Sequence, residues 1–268
     1  MIDRASIVNW GATHPWPRQS FIEQDLVICR AIVSIYTDPS LAESLAFRGG
    51  TALHKLHLSP QARYSEDIDL VQVAPRPIKP IVERLDAALS WLPGKSFDIR
   101  RFGFRMRFRY DSELPPVEPM RLKVEVNTYE HFAELGFIDA PFDVDGKWFH
   151  GSCLVKTYAL EEMLGTKLRA LYQRRKGRDL FDMAYALERK TIDDDKVLRC
   201  WRRYITFGGK TAPSFEEFDA NMAVKLSMPD YAGDVALLLR PGMAFDAEKA
   251  YAVVRKRFLA RFDSNLRI

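Results

Sequence analysis

Residues 48–70 have the sequence RGGTALHKLHLSPQARYSEDIDL, and this segment sets the architecture of the first half of the chain. It begins with a glycine pair followed by residues that suit the start of a helix, and it ends in an alternating stretch typical of a strand. On a strand, residues two apart point to the same face, so Asp67 and Asp69 project together while their apolar neighbours enter the core. The segment therefore predicts two adjacent carboxylates shortly after a helix N-terminus.

Helices are predicted on both sides of this segment. Ser20 and Ser40 are each followed three residues later by glutamate, which is the spacing of a capping box, and the second pair introduces a helix through LAESLAF. Another helix is predicted after Pro77 and Pro80. From about residue 157 the pattern is helical to the end, with a third capping box at Ser214.

Strands are predicted in SFDIRRF, FRMRFRY (104–110), RLKVEVN (121–127), a hairpin around residues 145–146, and CLVKT. This order lacks the regular βαβ alternation of a doubly wound parallel sheet. The sequence predicts an α+β fold, with a mixed β-sheet flanked by helices in a domain over residues 1–156. A mainly α-helical C-terminal half follows over residues 157–268.

The composition is that of an ordinary globular protein. The chain has 268 residues, 47% of them hydrophobic, with a net charge of +4 and a pI of about 8.9, a balance compatible with an anionic partner. The three cysteines are widely spaced and include no CxxC pair, which argues against a disulfide framework and a zinc site. No stretch has the length of an apolar signal or membrane segment, so we expect a cytoplasmic protein with no membrane partner.

The carboxylates are the first candidates for chemistry. Asp67 and Asp69 repel each other, and that cost is tolerable where a cation lies between them. Their oxygen atoms suit Mg²⁺. Glu125, in the middle of a predicted strand, would complete a site for two metal ions, one activating a hydroxyl and the other holding a triphosphate. The alternatives are a solvated strand end for the aspartates, and for Glu125 an ion pair with Lys123 or with an arginine across the sheet.

The segment Gly49-Gly50-Thr51 is a candidate phosphate site. Glycines let backbone N–H groups approach an anion, the following helix N-terminus favours negative charge, and the Thr51 hydroxyl could donate to phosphate. A glycine pair alone usually only makes a turn.

The helical half contains a second cluster. Lys167 falls on the same helical face as an apolar stripe, so it either extends to solvent or meets a buried anion. Asp179 and Asp182 share a face of the next helix, where acidic residues also favour the helix dipole. The basic residues just before it, including Lys176 and Arg178, could hold phosphates or pair with these aspartates.

Two basic surfaces could track RNA or could simply be solvated. The first is the strand face that carries Arg105, Arg107 and Arg109. The second is the final helix, with Arg255, Lys256, Arg257 and Arg261.

Four motifs, FRGGTALHKLH, RYSEDIDL, LKVEV and EEMLGTKLRALYQRRKGRDLFDM, resemble those of the AbiEii/AbiGii family of nucleotidyltransferase toxins in sequence and in order. The fold of that family is similar to the DNA polymerase β-type nucleotidyltransferase superfamily. The resemblance covers about residues 47–187. It implies a nucleotidyltransferase-type sheet, with the helical half completing the nucleotide and acceptor site.

The resemblance also implies roles for individual residues. Asp67 and Asp69 match the metal-binding pair, with Glu125 as the third carboxylate, and Lys167 and Asp179 match catalytic positions. The residues implied in nucleotide binding are Gly49, Gly50, Thr51, Arg63, Ser65, Lys176, Arg178 and Asp182.

The expected activity follows from the resemblance. The protein would use two Mg²⁺ ions, with Mn²⁺ as a substitute, to transfer a nucleoside monophosphate from an NTP to an acceptor hydroxyl. The expected acceptor is the 3′ end of tRNA, so that translation stops, and the expected protein partner is a cognate antitoxin. Two alternatives stay open: a protein or small-molecule acceptor, and a binding module for nucleotide or RNA without turnover.

Overall fold

The structure is a computed structural model that describes residues 2–262. Internal contacts divide the chain into two compact units, Met1–Tyr158 and Ala159–Ile268. Within residues 2–262, none of the helices combines the length and the apolar character that a bilayer-spanning segment needs.

The first unit is built on a mixed sheet of seven strands. The strands are β1 Leu45–Arg48, β2 Asp67–Gln72, β3 Ser96–Arg100, β4 Gly103–Asp111, β5 Pro119–Asn127, β6 Phe137–Asp145 and β7 His150–Tyr158. Their order across the sheet is β3-β4-β5-β2-β1-β7-β6. β2 pairs with β5 and β1 with β7 in parallel, and the other neighbours are antiparallel. The predicted α+β fold with a mixed sheet is confirmed.

Helices of the first unit pack against this sheet. They are α1 Arg4–Thr13, α2 Gln19–Tyr36, α3 Pro39–Ser44, α4 Gly49–Ala52, a π-helical turn Leu53–His57, and α5 Lys79–Ala88. The long helix α2 contributes Ile28, Ile32 and Ile35 to the core, all fully buried. It also fixes the sheet by polar contacts, since Gln24 donates to the Arg121 carbonyl oxygen and accepts from the Tyr110 hydroxyl.

Two of the predicted helix starts are wrong. The N-cap of α3 is Asp38, whose carboxylate accepts from the N–H groups of Ser40 and Leu41, and Pro39 suits the first turn. The N-cap of α2 is Arg18, which makes no side-chain cap. The third predicted capping box, at Ser214, is confirmed.

The predicted helix through LAESLAF ends early because its last residues form β1. Leu45, Ala46 and Phe47 are completely buried, since β1 lies in the interior of the sheet between β2 and β7. A short run of apolar residues fits a buried strand as well as a buried helix, and only strand pairing separates the two.

The two faces of the sheet differ in chemistry. Phe104, Met106 and Phe108 of β4 are buried on the apolar face, as are alternate residues of β5. Directly paired residues share a face, so the register of β2, β4 and β5 defines the opposite one. This charged face consists of Asp67, Asp69, Arg105, Arg107, Arg109, Arg121, Lys123 and Glu125.

The described part of the second unit is mainly helical. Its helices are α6 Leu160–Gln173, α7 Gly177–Arg189, α8 Asp194–Ile205, α9 Phe215–Leu226, α10 Pro229–Ala236 and α11 Ala247–Arg257, followed by a 3₁₀ turn Leu259–Arg261. Leu164, Leu168 and Leu171 of α6 lie in its core. The buried Lys225 ammonium donates to the carbonyl oxygens of Leu171 and Tyr172 and so caps the C-terminus of α6.

Candidate active site

The glycine pair makes a tight turn between β1 and α4. Gly49 has a φ of +83°, in the left-handed region that disfavours side chains. A Cβ atom at Gly49 would collide with the Asp69 carboxylate, and one at Gly50 would lie 2.6 Å from Nη2 of Arg63. Gly49 is therefore required for the backbone to pass beside Asp69, and Gly50 leaves room for the Arg63 guanidinium.

Thr51 joins this turn to the start of β2. Its hydroxyl is buried and hydrogen-bonded to the Asp67 carbonyl oxygen at 2.5 Å and to the Ser65 hydroxyl at 2.8 Å. The single hydroxyl proton is donated to the carbonyl, so a phosphate contact by this hydroxyl would require that bond to break. In this structure the hydroxyl groups of Thr51 and Ser65 position Asp67 relative to the glycine turn.

Asp67 and Asp69 lie together on the charged face, and both are half-buried. Burial and the neighbouring Asp67 charge raise the pKa of Asp69, and Arg48 and Lys123 oppose that rise. A cation beside the two carboxylates would relieve the repulsion between them.

Lys123 and Arg105 supply positive charge beside these carboxylates. Lys123 Nζ lies 2.8 Å from Oδ2 of Asp67 and 3.6 Å from Oε2 of Glu125. The Arg105 guanidinium also pairs with Glu125, directly across from it in the register of β4 and β5. Both ion-pair alternatives for Glu125 are therefore present. Its role as third metal ligand stays a prediction that requires these cations to release it.

The donor set fits a divalent cation at the aspartate pair. Asp67 and Asp69 provide hard carboxylate oxygens on one face, which is the chemistry that Mg²⁺ prefers. The Lys123 ammonium on Asp67 already compensates part of their charge. Over residues 2–262, no three acidic, histidine or cysteine side chains are grouped closely enough to hold a metal ion. The fit therefore concerns two carboxylates, and other ligands would come from water or substrate.

Arginines lie on both sides of the glycine turn. Arg63 is buried, and its Nη1 donates to the Tyr64 carbonyl oxygen at 2.9 Å. Arg48 is opposite Asp69 in the register of β1 and β2 and pairs with Glu130 at 2.5 Å. Arg48 is not among the residues that the sequence predicts for the site, and Lys123 is predicted only as a possible ion-pair partner of Glu125. Two-residue spacing places Lys123 on the same face as Glu125, which could have identified it as a site residue.

A buried ion pair anchors the π-helical turn that follows α4. Lys55 Nζ lies 2.8 Å from Oδ1 of Asp25, and it also contacts Cys29 Sγ and Gln61 Oε1. Burial alone would raise the pKa of Asp25, but Lys55 and a hydrogen bond from Trp10 lower it overall. This satisfied network fixes the segment that carries the glycine turn against α1 and α2.

The second unit brings together three of the other predicted residues. Lys167 Nζ lies 2.9 Å from Oδ1 of Asp179 and 2.7 Å from Oδ2 of Asp182, and all three side chains are buried. The inward-facing lysine thus meets two carboxylates that join α6 to α7. At the start of α7, Lys176 is exposed and Arg178 is half-buried.

The basic residues of the last helix are largely paired within the second unit. Arg255 pairs with Asp219, Arg257 with Asp194, and Arg261 with Asp195. These contacts favour the solvated alternative over an RNA surface at this helix.

Comparison with known proteins agrees with this geometry. A family model described as "Nucleotidyl transferase AbiEii toxin, Type IV TA system" matches residues 30–263. Among solved structures, MenT4, the nucleotidyltransferase toxin Rv2826c from Mycobacterium tuberculosis H37Rv, is 18% identical with a TM-score of 0.65, covering 99% of this chain and 91% of that one.

A second structure, JHP933 from Helicobacter pylori, is 18% identical with a TM-score of 0.52, covering 93% of this chain and 95% of its own. At this identity both structures establish a shared fold. Among curated protein sequences, none matches this chain.

Proposed function

The chain belongs to the AbiEii family of nucleotidyltransferase toxins, and from this premise we propose which reaction it performs. It transfers a nucleoside monophosphate from an NTP to a hydroxyl at the 3′ end of tRNA, and Asp67 and Asp69 hold the divalent cation on which transfer depends. Mg²⁺ is the proposed ion, in two copies if Glu125 joins the site, with Mn²⁺ as a substitute. The product is a tRNA that cannot serve in translation.

The observation that carries this proposal is the contact between the glycine turn and the carboxylate pair. Gly49 approaches Asp69 so closely that no side chain fits between them. A triphosphate lying against the turn would therefore also be within reach of a cation on Asp67 and Asp69. Passive anion binding needs no acidic pair, so this arrangement favours metal-assisted transfer.

The reaction is an in-line displacement. The acceptor oxygen forms a bond to the α-phosphorus while the bond to the pyrophosphate oxygen breaks, and pyrophosphate leaves with the electron pair. A bound Mg²⁺ would neutralise phosphate charge and favour loss of the acceptor proton. Gly49 and Gly50 leave room for the phosphates, Thr51 and Ser65 orient Asp67, and Arg105 and Lys123 add positive charge where negative charge develops.

The proposal includes the cluster of the second unit. Lys167 is proposed to contact the nucleotide, with Asp179 and Asp182 orienting it. In this structure the Lys167 charge is shared between these two carboxylates, so a phosphate would replace one of them. Lys176, Arg178 and the buried Arg63 are proposed as further sources of positive charge for the phosphates.

A cognate antitoxin and a cytoplasmic location complete the proposal. The family description, a type IV toxin–antitoxin system, supports an antitoxin partner.

The test is incubation of the purified protein with Mg²⁺, total tRNA and each of the four α-³²P-labelled NTPs, resolved on a gel. We expect label in tRNA with at least one NTP, and none with Asp67→Ala. The matched control is Asp139→Ala, which removes an exposed carboxylate from β6. Label in protein or a small molecule would reject the tRNA acceptor, and absence of transfer by the folded wild-type protein would reject the reaction.

A further inference from the structure

Two pairs of like charges lie opposite each other on the charged face. In the antiparallel register of β4 and β5, Arg107 is opposite Lys123 and Arg109 is opposite Arg121. Like charges directly across a sheet repel and destabilise it. An anion bound beside two such rows would relieve this repulsion.

The positive charges of the first row, Arg107 and Lys123, are compensated by carboxylates of the protein itself. Arg107 Nη2 lies 3.4 Å from the Asp98 carboxylate, and Lys123 lies 2.8 Å from Asp67. The second row has none: in the part of the chain that the structure describes, neither Arg109 nor Arg121 forms an ion pair. Both side chains are exposed, so an external anion can reach them.

The row of Arg109 and Arg121, whose charges are uncompensated, lies next to the carboxylate pair on the charged face. Lys123 is the register partner of Asp67 in β2, and the Arg109–Arg121 row comes two residues further along the strands, a distance of about 7 Å. Rows of cations that repeat along a strand match an anion whose charges also repeat, such as a nucleic acid backbone. Asp111, opposite Pro119, ends the basic stretch.

We propose that Arg109 and Arg121 bind backbone phosphates of the RNA acceptor, next to the nucleotide whose hydroxyl reacts at Asp67 and Asp69. This inference rests on the proposed function, because it takes the acceptor to be RNA. Guanidinium groups form paired hydrogen bonds with phosphate oxygens, which suits two arginines side by side. Such contacts position the strand without selecting its sequence.

The test compares RNA binding by Arg109→Gln/Arg121→Gln with that by Arg76→Gln/Lys147→Gln. The control pair removes the same charge from two exposed residues outside β4 and β5. The dissociation constant for an unmodified tRNA transcript is measured over a series of KCl concentrations. Each lost phosphate contact lowers the slope of log affinity against log salt by about 0.7–0.9.

We expect the R109Q/R121Q slope to fall by about 1.4–1.8 relative to wild type, which makes the affinity about 25- to 60-fold weaker at 0.1 M salt if the two affinities converge at about 1 M. The control should keep the wild-type slope. The Tm of R109Q/R121Q in low salt should be equal to or above that of wild type, because repulsion is relieved.

Equal slopes in the two double variants would overturn the inference. So would unchanged RNA binding by R109Q/R121Q together with lost binding of poly-glutamate, since that result would assign the row to an acidic protein. These failures are separable from failure of the proposed function. Wild-type protein that labels tRNA while R109Q/R121Q binds RNA normally rejects only this backbone site, whereas wild-type protein that labels another acceptor rejects the tRNA assignment itself.

Discussion

The Lys123 ammonium lies 2.8 Å from the Asp67 carboxylate, directly across the parallel pair of β2 and β5. It therefore competes with any metal ion for that carboxylate. We predict that Lys123→Met binds Mn²⁺ about fivefold more tightly than wild type, because a half-exposed ion pair contributes about 1 kcal/mol. Titration followed by electron paramagnetic resonance measures this, with Lys147→Met as the control. Equal or weaker Mn²⁺ binding by Lys123→Met would show that Lys123 does not compete.

Gly49 and Gly136 provide a matched test of the glycine turn. Both have positive φ, but a Cβ at Gly136 meets no atom within 4 Å, whereas one at Gly49 collides with Asp69. We predict that Gly136→Ala costs about 1 kcal/mol of unfolding free energy from backbone strain alone and keeps activity. Gly49→Ala should cost about 2 kcal/mol more and abolish transfer. Urea unfolding and the labelling assay check both, and equal costs would contradict the predicted collision.

The buried Glu23 carboxyl group should make the unfolding free energy of the protein depend on pH. Its side chain is fully buried, and burial raises its pKa from 4.5 to about 7. The folded state therefore binds this proton more tightly than the unfolded state does. The stability that protonated Glu23 contributes is fully present below about pH 4.5 and is lost as pH rises through 7.

The matched variant is Glu23→Gln, which keeps an acceptor for the N–H of Glu113. It should be more stable than wild type at pH 8 by on the order of 2 kcal/mol, a difference that disappears at pH 4. Chemical unfolding of both proteins across this range measures it. A constant difference from pH 4 to 8 would be incompatible with a raised pKa.

Variants of the cluster of Lys167, Asp179 and Asp182 can distinguish a structural role from a functional one. Lys167→Met removes the ammonium group that contacts two buried carboxylates and should cost about 3–5 kcal/mol of unfolding free energy. The triple variant Lys167→Met/Asp179→Asn/Asp182→Asn removes all three charges and should recover most of that stability. If Lys167 contacts nucleotide as proposed, the stable triple variant stays inactive. Full activity of the triple variant would make the cluster purely structural.

The sequence predicts the strands that bear the site, because local patterns determine them. Asp67 and Asp69 begin a strand as the alternation of DIDL indicates, and β4 and β5 follow their alternating arginines and lysine. The glycine turn is also evident from the sequence. These features depend only on neighbouring residues along the chain.

The features that the sequence does not predict depend on which strands pair side by side and on which of several nearby residues makes a given contact. That β1 is an interior strand follows from its position between β2 and β7, which no local pattern encodes. Which arginine pairs with Glu125 depends on the register of β4 and β5, which places Arg105 directly opposite it. Asp38 caps α3 in place of Ser40 because the helix begins at Pro39, so that the N–H groups of Ser40 and Leu41 are the ones that the Asp38 carboxylate reaches.

The most direct test of the central claim is the rate of nucleotide transfer to tRNA at increasing Mg²⁺ concentration, for wild type and for Asp69→Asn. Wild-type transfer should stop in EDTA and return with Mg²⁺, whereas Asp69→Asn should remain inactive at every concentration while retaining the wild-type circular dichroism spectrum. Transfer by wild type in EDTA, or transfer at the wild-type rate by Asp69→Asn, would contradict the assignment of Asp67 and Asp69 as the cation site.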